Sequence, residues 1–214
     1  MALVAADLAT AIRTGMGFPL PNSTQLIGWG TGVVNHIITS GIVANAPGTV
    51  LGTAPPAGGP LVSGLASNGL IAGLSGPTLA SLIHASAGFP GSVSTQLTNF
   101  STAVVSHIMT LGRVSFSSGT IVGTCSNTPA TPGVLTGTGS NGLIGSLNGS
   151  TLASAVHSAV GYPGSTSTEL TNFCTSLVNY VMTNARVSYA LVTGTAPAAG
   201  GAIIAGTAAG GTIA

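Results

Sequence analysis

The sequence has almost no charge. Only Asp7, Arg13, Arg113, Glu169 and Arg186 are formally charged, which is 2% of the 214 residues, and lysine is absent altogether. Soluble proteins usually contain about 25% charged residues. Paired-acid catalysis needs two acids close together, and the only two here lie far apart in the sequence. Three isolated arginines do not form the basic stripe that follows a phosphate backbone. The composition therefore argues against a paired-acid active site and against nucleic-acid binding.

Long apolar runs are missing as well, although 44% of the residues are hydrophobic. A membrane-spanning helix needs about 18 or more consecutive apolar residues. The best candidate, residues 32–46, is interrupted by Asn35 and His36 among other polar residues, so we expect no membrane span. Asp7 and Arg13 interrupt the N-terminal apolar stretch, and no basic segment precedes it. We therefore expect no secretory signal, and folding in the cytoplasm where the chain is made.

What the sequence does contain is one pattern that occurs three times. Leu8, Leu79 and Leu152 begin three similar segments, spaced 71 and then 73 residues apart. Each segment continues with the same landmarks in the same order. The landmarks are a Gly-aromatic-Pro triplet at Gly17-Phe18-Pro19, Gly88-Phe89-Pro90 and Gly161-Tyr162-Pro163, an aromatic residue at Trp29, Phe100 and Phe173, and a valine at Val43, Val114 and Val187. The pattern predicts three tandem repeats of about 72 residues, over 1–77, 78–150 and 151–214.

Each repeat is predicted to be two helices followed by a β-rich tail, which places the chain in the α+β class. In the second repeat, Thr78 is expected to cap a short helix over 79–87 that ends at Gly88. A longer helix is expected over 94–111, because its apolar residues follow the spacing of an amphipathic helix. Capping-box spacing also occurs in the outer repeats, at Asn22 with Gln25 and at Thr166 with Glu169. We expect two sets of repeated apolar residues in the core: Leu26, Leu97 and Leu170, and Trp29, Phe100 and Phe173.

The tails change to a period of two. Val114 and Phe116 alternate with serines, and an apolar stretch resumes at 120–122, which predicts extended or hairpin structure. The Pro- and Gly-rich stretches, such as 54–60 and 128–133, are expected to be turns. Residues 202–214 are apolar and uncharged. For them three outcomes stay open: they complete a sheet, add to the edge of a neighbour's sheet, or fray.

Candidate chemical residues are few. Asp7 is the only aspartate, so no Ser/His/Asp set can form. Residues 137–142 match the spacing GxGxxG, but no helix is expected to follow and no acid lies about 20 residues on. Cys125 and Cys174 occupy non-equivalent repeat positions and are interpreted as small unpaired residues. The remaining candidates share two repeat positions, one with Arg13, His84 and His157 and the other with His36, His107 and Tyr180.

A position that accepts His, Arg or Tyr is typical of a helix surface, and it is not expected to ligate a metal ion. We therefore predict no catalytic, cofactor-binding or metal-binding residue and no enzymatic activity. Short neutral polar side chains instead dominate the predicted outer helix faces, and they are buried at much lower cost than charged ones. These outer residues are Thr98, Asn99, Thr102, Ser106 and Thr110 in the second repeat, and Thr171, Asn172, Thr175, Ser176 and Asn179 in the third. We expect other subunits to cover this surface.

The order of an Ala- and Leu-rich short helix, a second helix and a Val-x-Gly-Thr-rich tail resembles the small virion structural proteins of tailed bacteriophages. Such proteins decorate capsids or build necks and tails. The resemblance covers each repeat. It implies a structural component of the virion, folded in the host cytoplasm, whose partners are copies of itself and other virion structural proteins, with no cofactor. An extracellular filament or adhesin subunit, which would need an export route, remains the alternative.

Overall fold

The computed structural model describes residues 2–19 and 21–214, which form six helices and nine strands. The chain is therefore α+β, as predicted. The helices are α1 (Ala5–Gly15), α2 (Thr24–Ser40), α3 (Gly76–Ala87), α4 (Thr95–Leu111), α5 (Gly149–Val160) and α6 (Thr168–Asn184). The strands are β1 (Ile42–Ala54), β2 (Gly59–Pro60), β3 (Val62–Ala72), β4 (Arg113–Phe116), β5 (Ile121–Cys125), β6 (Gly133–Gly145), β7 (Arg186–Ala196), β8 (Gly201–Ala202) and β9 (Ile204–Ile213).

The chain divides into two compact units, and each unit is assembled from three separate segments of the sequence. The helical unit contains all six helices, and the sheet unit contains all nine strands. Along the chain, each pair of helices is followed by strands of the sheet unit. The chain therefore alternates between the two units three times.

The helical unit is a closed ring. Each helix packs against the next one in sequence, and α6 packs against α1. The long helices α2, α4 and α6 have 17 residues each, and the short helices have 11 or 12. Helices α2 and α3 approach each other closely, since a Cβ atom added to Gly32 would lie 2.6 Å from the backbone nitrogen of Ile83. Glycine is needed at this position because any side chain would force the two helices apart.

The long helices begin with the same serine cap. The hydroxyl oxygens of Ser23, Ser94 and Ser167 each accept a hydrogen bond, at 3.1 Å, from the backbone N–H three residues on. The predicted caps at Asn22 and Thr166 are therefore wrong by one residue, since a capping oxygen must lie in the extended residue immediately before the helix. The predicted cap at Thr78 is wrong as well. The cap of α3 is Ser75, and Pro77 lies in the first turn. Proline is tolerated there because a backbone N–H in the first turn has no acceptor within the helix, so its absence costs nothing.

The sheet unit is built around a closed, antiparallel ring of six strands in the order β1-β3-β4-β6-β7-β9, with β9 paired again to β1. It is a six-stranded barrel. The other three strands lie outside this ring: β5 pairs with β6 and β8 pairs with β1, while β2 pairs with β5. Residues 202–214, for which three outcomes were open, contribute β9 and complete the sheet of their own chain.

The interior of the barrel contains two sets of sequence-equivalent residues. Val43, Val114 and Val187 are completely buried. In the second set the rings of Phe116 and Tyr189 stack with centroids 4.8 Å apart, and the Tyr189 hydroxyl donates a hydrogen bond to Oδ1 of the third member, Asn45. The predicted alternation in β4 is confirmed, because Val114 and Phe116 are buried and Ser115 between them is exposed.

Candidate functional site: the aromatic end of the helical unit

Three aromatic rings meet where the long helices begin. Trp29, Phe100 and Phe173 each lie in the second turn of their helix. Their ring centroids are 6.0, 5.0 and 5.9 Å apart, and all three pairs are in edge-to-face contact. This geometry is favourable for aromatic pairs beyond the area that they bury. The recurrence of one aromatic position in the sequence is therefore matched by one cluster in the structure.

These rings were predicted to lie in the buried core, and that prediction is wrong. Trp29, Phe100 and Phe173 are half-buried, and so are the three leucines predicted to accompany them, Leu26, Leu97 and Leu170. Helical periodicity identifies the face of a helix that points inward, but it does not indicate the level along the axis at which neighbouring helices stop covering that face. The aromatic cluster lies on the inward face close to the helix ends, where cover is incomplete.

Three further aromatic side chains lie in the turns that follow the short helices. Phe18, Phe89 and Tyr162 are exposed by 53%, 41% and 52%. Phe89 and Tyr162 line a cavity of about 310 Å³ together with the three clustered rings. We call the six residues Trp29, Phe100, Phe173, Phe18, Phe89 and Tyr162 the aromatic end. Phe18 is included because it occupies the equivalent turn of the first helix pair. Large exposed apolar patches mark interaction surfaces.

A larger cavity of about 500 Å³ adjoins the aromatic end at the third helix pair. Its walls include His157, Tyr162, Glu169 and Phe173. A cavity of about 180 Å³ occupies the same place at the second helix pair, with His84 in the position of His157. The sequence-equivalent residue of the first pair is Arg13, which is only 8% exposed. The two histidines are half-buried. The prediction of a helix surface is therefore wrong for Arg13 and only partly right for His84 and His157.

The second shared position is buried, which also corrects the surface prediction. His36, His107 and Tyr180 are exposed by 1%, 6% and 6%. In each case the side chain accepts a hydrogen bond from the backbone N–H of the residue immediately before the neighbouring short helix. The three contacts are Ser75 N–H to His36 Nε2 at 2.9 Å, Asn148 N–H to His107 Nε2 at 3.2 Å and Val4 N–H to Tyr180 Oη at 2.7 Å. These contacts join consecutive helix pairs and close the ring from α6 back to α1.

The histidine contacts require a neutral ring, because a protonated imidazole has no acceptor nitrogen. Burial lowers the pKa of His36 and also the pKa of His107. The lowered pKa of each histidine favours the neutral ring, which is the form that can accept the backbone N–H. The sequence could have indicated this role only through a property that His and Tyr share, which is an acceptor atom at the end of a planar ring.

The cysteines lie in buried positions and are not joined in a disulfide. Burial raises the pKa of Cys174 to about 12 and also raises the pKa of Cys125, so both thiols stay protonated at neutral pH. Each occupies a place where the sequence-equivalent residues are small and buried: Ala54 and Ala196 for Cys125, and Gly30 and Ser101 for Cys174. Packing accounts for both cysteines.

Within residues 2–19 and 21–214, no group of three or more His, Cys, Asp or Glu side chains lies close enough to hold a metal ion. No helix of the described chain has the length and apolar character needed to cross a membrane.

The outer surface of the sheet unit adds further exposed apolar side chains. Val62, Val122, Val134 and Ile204 are each more than half exposed. In the helical unit, the predicted outer residues Thr102, Ser106, Thr110, Asn172 and Asn179 are exposed, while Thr98, Asn99, Thr171, Thr175 and Ser176 are half-buried. The exposed surface therefore combines apolar residues with short neutral polar ones. Comparisons with protein-family models, with curated proteins and with solved structures found no match to this chain.

Proposed function

We propose that the protein is a structural assembly component of a tailed-phage virion, a capsid decoration, neck or tail protein, and that the aromatic end is one of its subunit interfaces. The carrying observation is the exposure of Phe18, Phe89 and Tyr162, of which Phe89 and Tyr162 line one cavity with the three clustered aromatic rings. Aromatic residues are enriched at the centres of protein interfaces, where charged residues are depleted. In this proposal the aromatic end binds a neighbouring subunit and takes part in no catalytic step.

The near absence of charge supports the same proposal. A polar surface that stays in water usually carries Lys, Glu and Arg, which keep a protein soluble. The exposed helix residues here include Thr102, Ser106 and Asn172, which lose little side-chain entropy and carry no ionic desolvation cost when a neighbour covers them. A standard interface covers about 800 Å² on each partner. We expect the covered area in the native assembly to exceed that value.

We further propose that the chain consists of three tandem repeats, 1–77, 78–150 and 151–214, arranged around one local threefold axis in the helical unit. Two sets of residues spaced by the repeat length support this arrangement. Trp29, Phe100 and Phe173 meet in one cluster. His36, His107 and Tyr180 perform the same task at three successive junctions. A single chain of this form would offer three similar binding surfaces, one on each helix pair, to a partner with threefold symmetry.

The virion assignment rests on the resemblance stated from the sequence, and it is tested on native material. Mass spectrometry of purified phage particles should find the chain at many copies per particle. Electron microscopy of the same particles should then locate it on the capsid, neck or tail. Its recovery from cell-surface filaments, with none in particles, would replace the virion proposal with the filament or adhesin alternative.

A further inference from the structure

The three turns that follow the short helices share one backbone arrangement. In each turn the backbone N–H of the aromatic residue donates to the carbonyl oxygen five residues earlier. The three pairs are Phe18 with Arg13 at 3.1 Å, Phe89 with His84 at 3.1 Å and Tyr162 with His157 at 3.2 Å. The turns share this hydrogen bond and differ in several side chains, among them the one at the position of Arg13, where the second and third turns have His84 and His157.

In the first turn this side chain is a buried guanidinium. Arg13 Nε donates to Oδ1 of Asn22 at 2.7 Å, and Arg13 Nη1 donates to the carbonyl oxygen of Phe18 at 3.1 Å. Burial of a guanidinium is costly unless its N–H groups have acceptors; here the turn supplies the carbonyl oxygen of Phe18, and Asn22 before α2 supplies its side-chain oxygen. The first helix pair therefore shows that the turn can hold a guanidinium group.

In the third turn the shorter His157 leaves space. The cavity of about 500 Å³ lies here, and His157 Nε2 is shielded from solvent without a hydrogen-bond partner among the described residues. Glu169 also lines this cavity. The equivalent residues in the other two repeats are Gln25 and Gln96. Of the three turns, the third therefore is the one that has both a cavity at the position of the Arg13 guanidinium and a carboxylate in the cavity wall.

We infer that the cavity beside Glu169 binds the guanidinium of an arginine side chain that belongs to a partner protein. A carboxylate and a guanidinium form parallel charge-assisted hydrogen bonds, and the flanking rings of Tyr162 and Phe173 can contact the face of the cation. The C-terminal end of α5 at the turn favours a bound cation. The N-terminal end of α6 disfavours one, and the negative charge of Glu169 offsets that repulsion.

We assign the arginine to a different protein, because this chain has only three arginines and the guanidinium of Arg13 is held in its own turn. The identification of the ligand's source as a protein rests on the proposed assembly function. The binding of a guanidinium group does not depend on it.

The test uses N-acetyl-arginine methylamide as the probe, added to the full chain and followed by NMR at the ring resonances of Tyr162. We expect saturable shifts. The citrulline analogue, which is neutral and of the same shape, should bind about fivefold more weakly, since a solvent-accessible ion pair is worth up to about that factor. Glu169→Gln, which installs the residue of the equivalent positions, should weaken arginine binding by a similar factor.

Two histidine variants separate this cavity from its counterpart. His157→Arg should abolish the shifts, because its own guanidinium fills the cavity as Arg13 does in the first turn. His84→Arg makes the same change at the uncharged cavity and should leave binding unchanged. Equal binding of the arginine and citrulline probes, or unchanged binding in His157→Arg, would overturn the inference. If the probe binds and the chain never associates, the guanidinium site is supported and the assembly function is refuted. If the chain associates and the probe does not bind, the assembly function is supported and the guanidinium site is refuted.

Discussion

Removal of one hydroxyl group tests how the helical ring closes. Tyr180 of α6 is 6% exposed, and its Oη makes two hydrogen bonds to the residue before α1. It accepts the N–H of Val4 at 2.7 Å and donates to the carbonyl oxygen of Val4 at 2.8 Å. Val4 has no side-chain oxygen to cap its helix, whereas Ser75 and Asn148 cap theirs. The two hydrogen bonds of Tyr180 therefore tie the residue before α1 directly to α6, at a helix start that has no side-chain cap of its own.

The substitution Tyr180→Phe removes both hydrogen bonds and keeps the packing of the ring. Each bond contributes about 0.5–1.5 kcal/mol net, so we expect the free energy of unfolding to fall by about 2 kcal/mol. For a chain of this length the corresponding decrease in Tm is roughly 4–8 °C. Urea unfolding followed by far-UV circular dichroism, at concentrations below the onset of association, measures the difference.

Two control variants make the result specific. Tyr180→His installs the residue of the equivalent positions, retains an acceptor for the Val4 N–H and should lose less stability than Tyr180→Phe. Tyr162→Phe removes a hydroxyl from an exposed ring and should be neutral within about 0.5 kcal/mol. A Tyr180→Phe protein as stable as the wild type would refute the idea that this contact closes the ring.

Two more perturbations address the buried polar contacts. Because burial lowers the pKa of His36 and His107 in the folded state, their contribution to stability should be complete above pH about 6.5 and should decrease as the pH falls below that value. The double variant His36→Tyr/His107→Tyr should reduce the acid sensitivity measured by urea unfolding at pH 7.5 and 5.0, and an unchanged sensitivity would contradict this explanation. In the barrel, Tyr189→Phe should lower the free energy of unfolding by about 1–3 kcal/mol, since Oδ1 of Asn45 loses a buried donor; a loss below about 0.5 kcal/mol would show that this hydroxyl is dispensable.

The sequence predicted the local structure well where its pattern was strong. The long helix expected over 94–111 is α4, Thr95–Leu111, and the short one ends at Gly88 as expected. The start of the short helix was predicted three residues late, at 79 instead of Gly76. The difference follows from the cap, which was expected at Thr78 but is Ser75; Pro77 does not prevent the earlier start, because proline is compatible with the first turn of a helix.

The assembly of the strands into a barrel could not be predicted from the sequence. Alternation showed that Val114 and Phe116 point to one side, but it does not identify the strand that pairs with β4. The barrel is closed by β1 with β9, which lie about 160 residues apart in the sequence, and no local pattern indicates so distant a pairing. For the same reason the division into a helical and a sheet unit was not foreseen.

The candidate site was indicated in part. The recurrence of Trp29, Phe100 and Phe173 identified a shared position, but not its half-exposed level in the ring. The roles of Arg13 and His36 were missed, because exchange among His, Arg and Tyr was taken to indicate a surface. A buried position also permits such an exchange when each residue can satisfy the same turn or accept the same N–H group.

The most direct test of the assembly proposal is sedimentation velocity of the purified chain over a range of concentrations. We predict that the wild-type chain associates, and that the triple variant Phe18→Ser/Phe89→Ser/Tyr162→Ser shifts the distribution toward the 20.5 kDa monomer. Ile38→Ser, which changes an exposed apolar residue at the other end of α2, should associate like the wild type. A wild-type chain that stays a soluble monomer at high concentration would contradict the proposal.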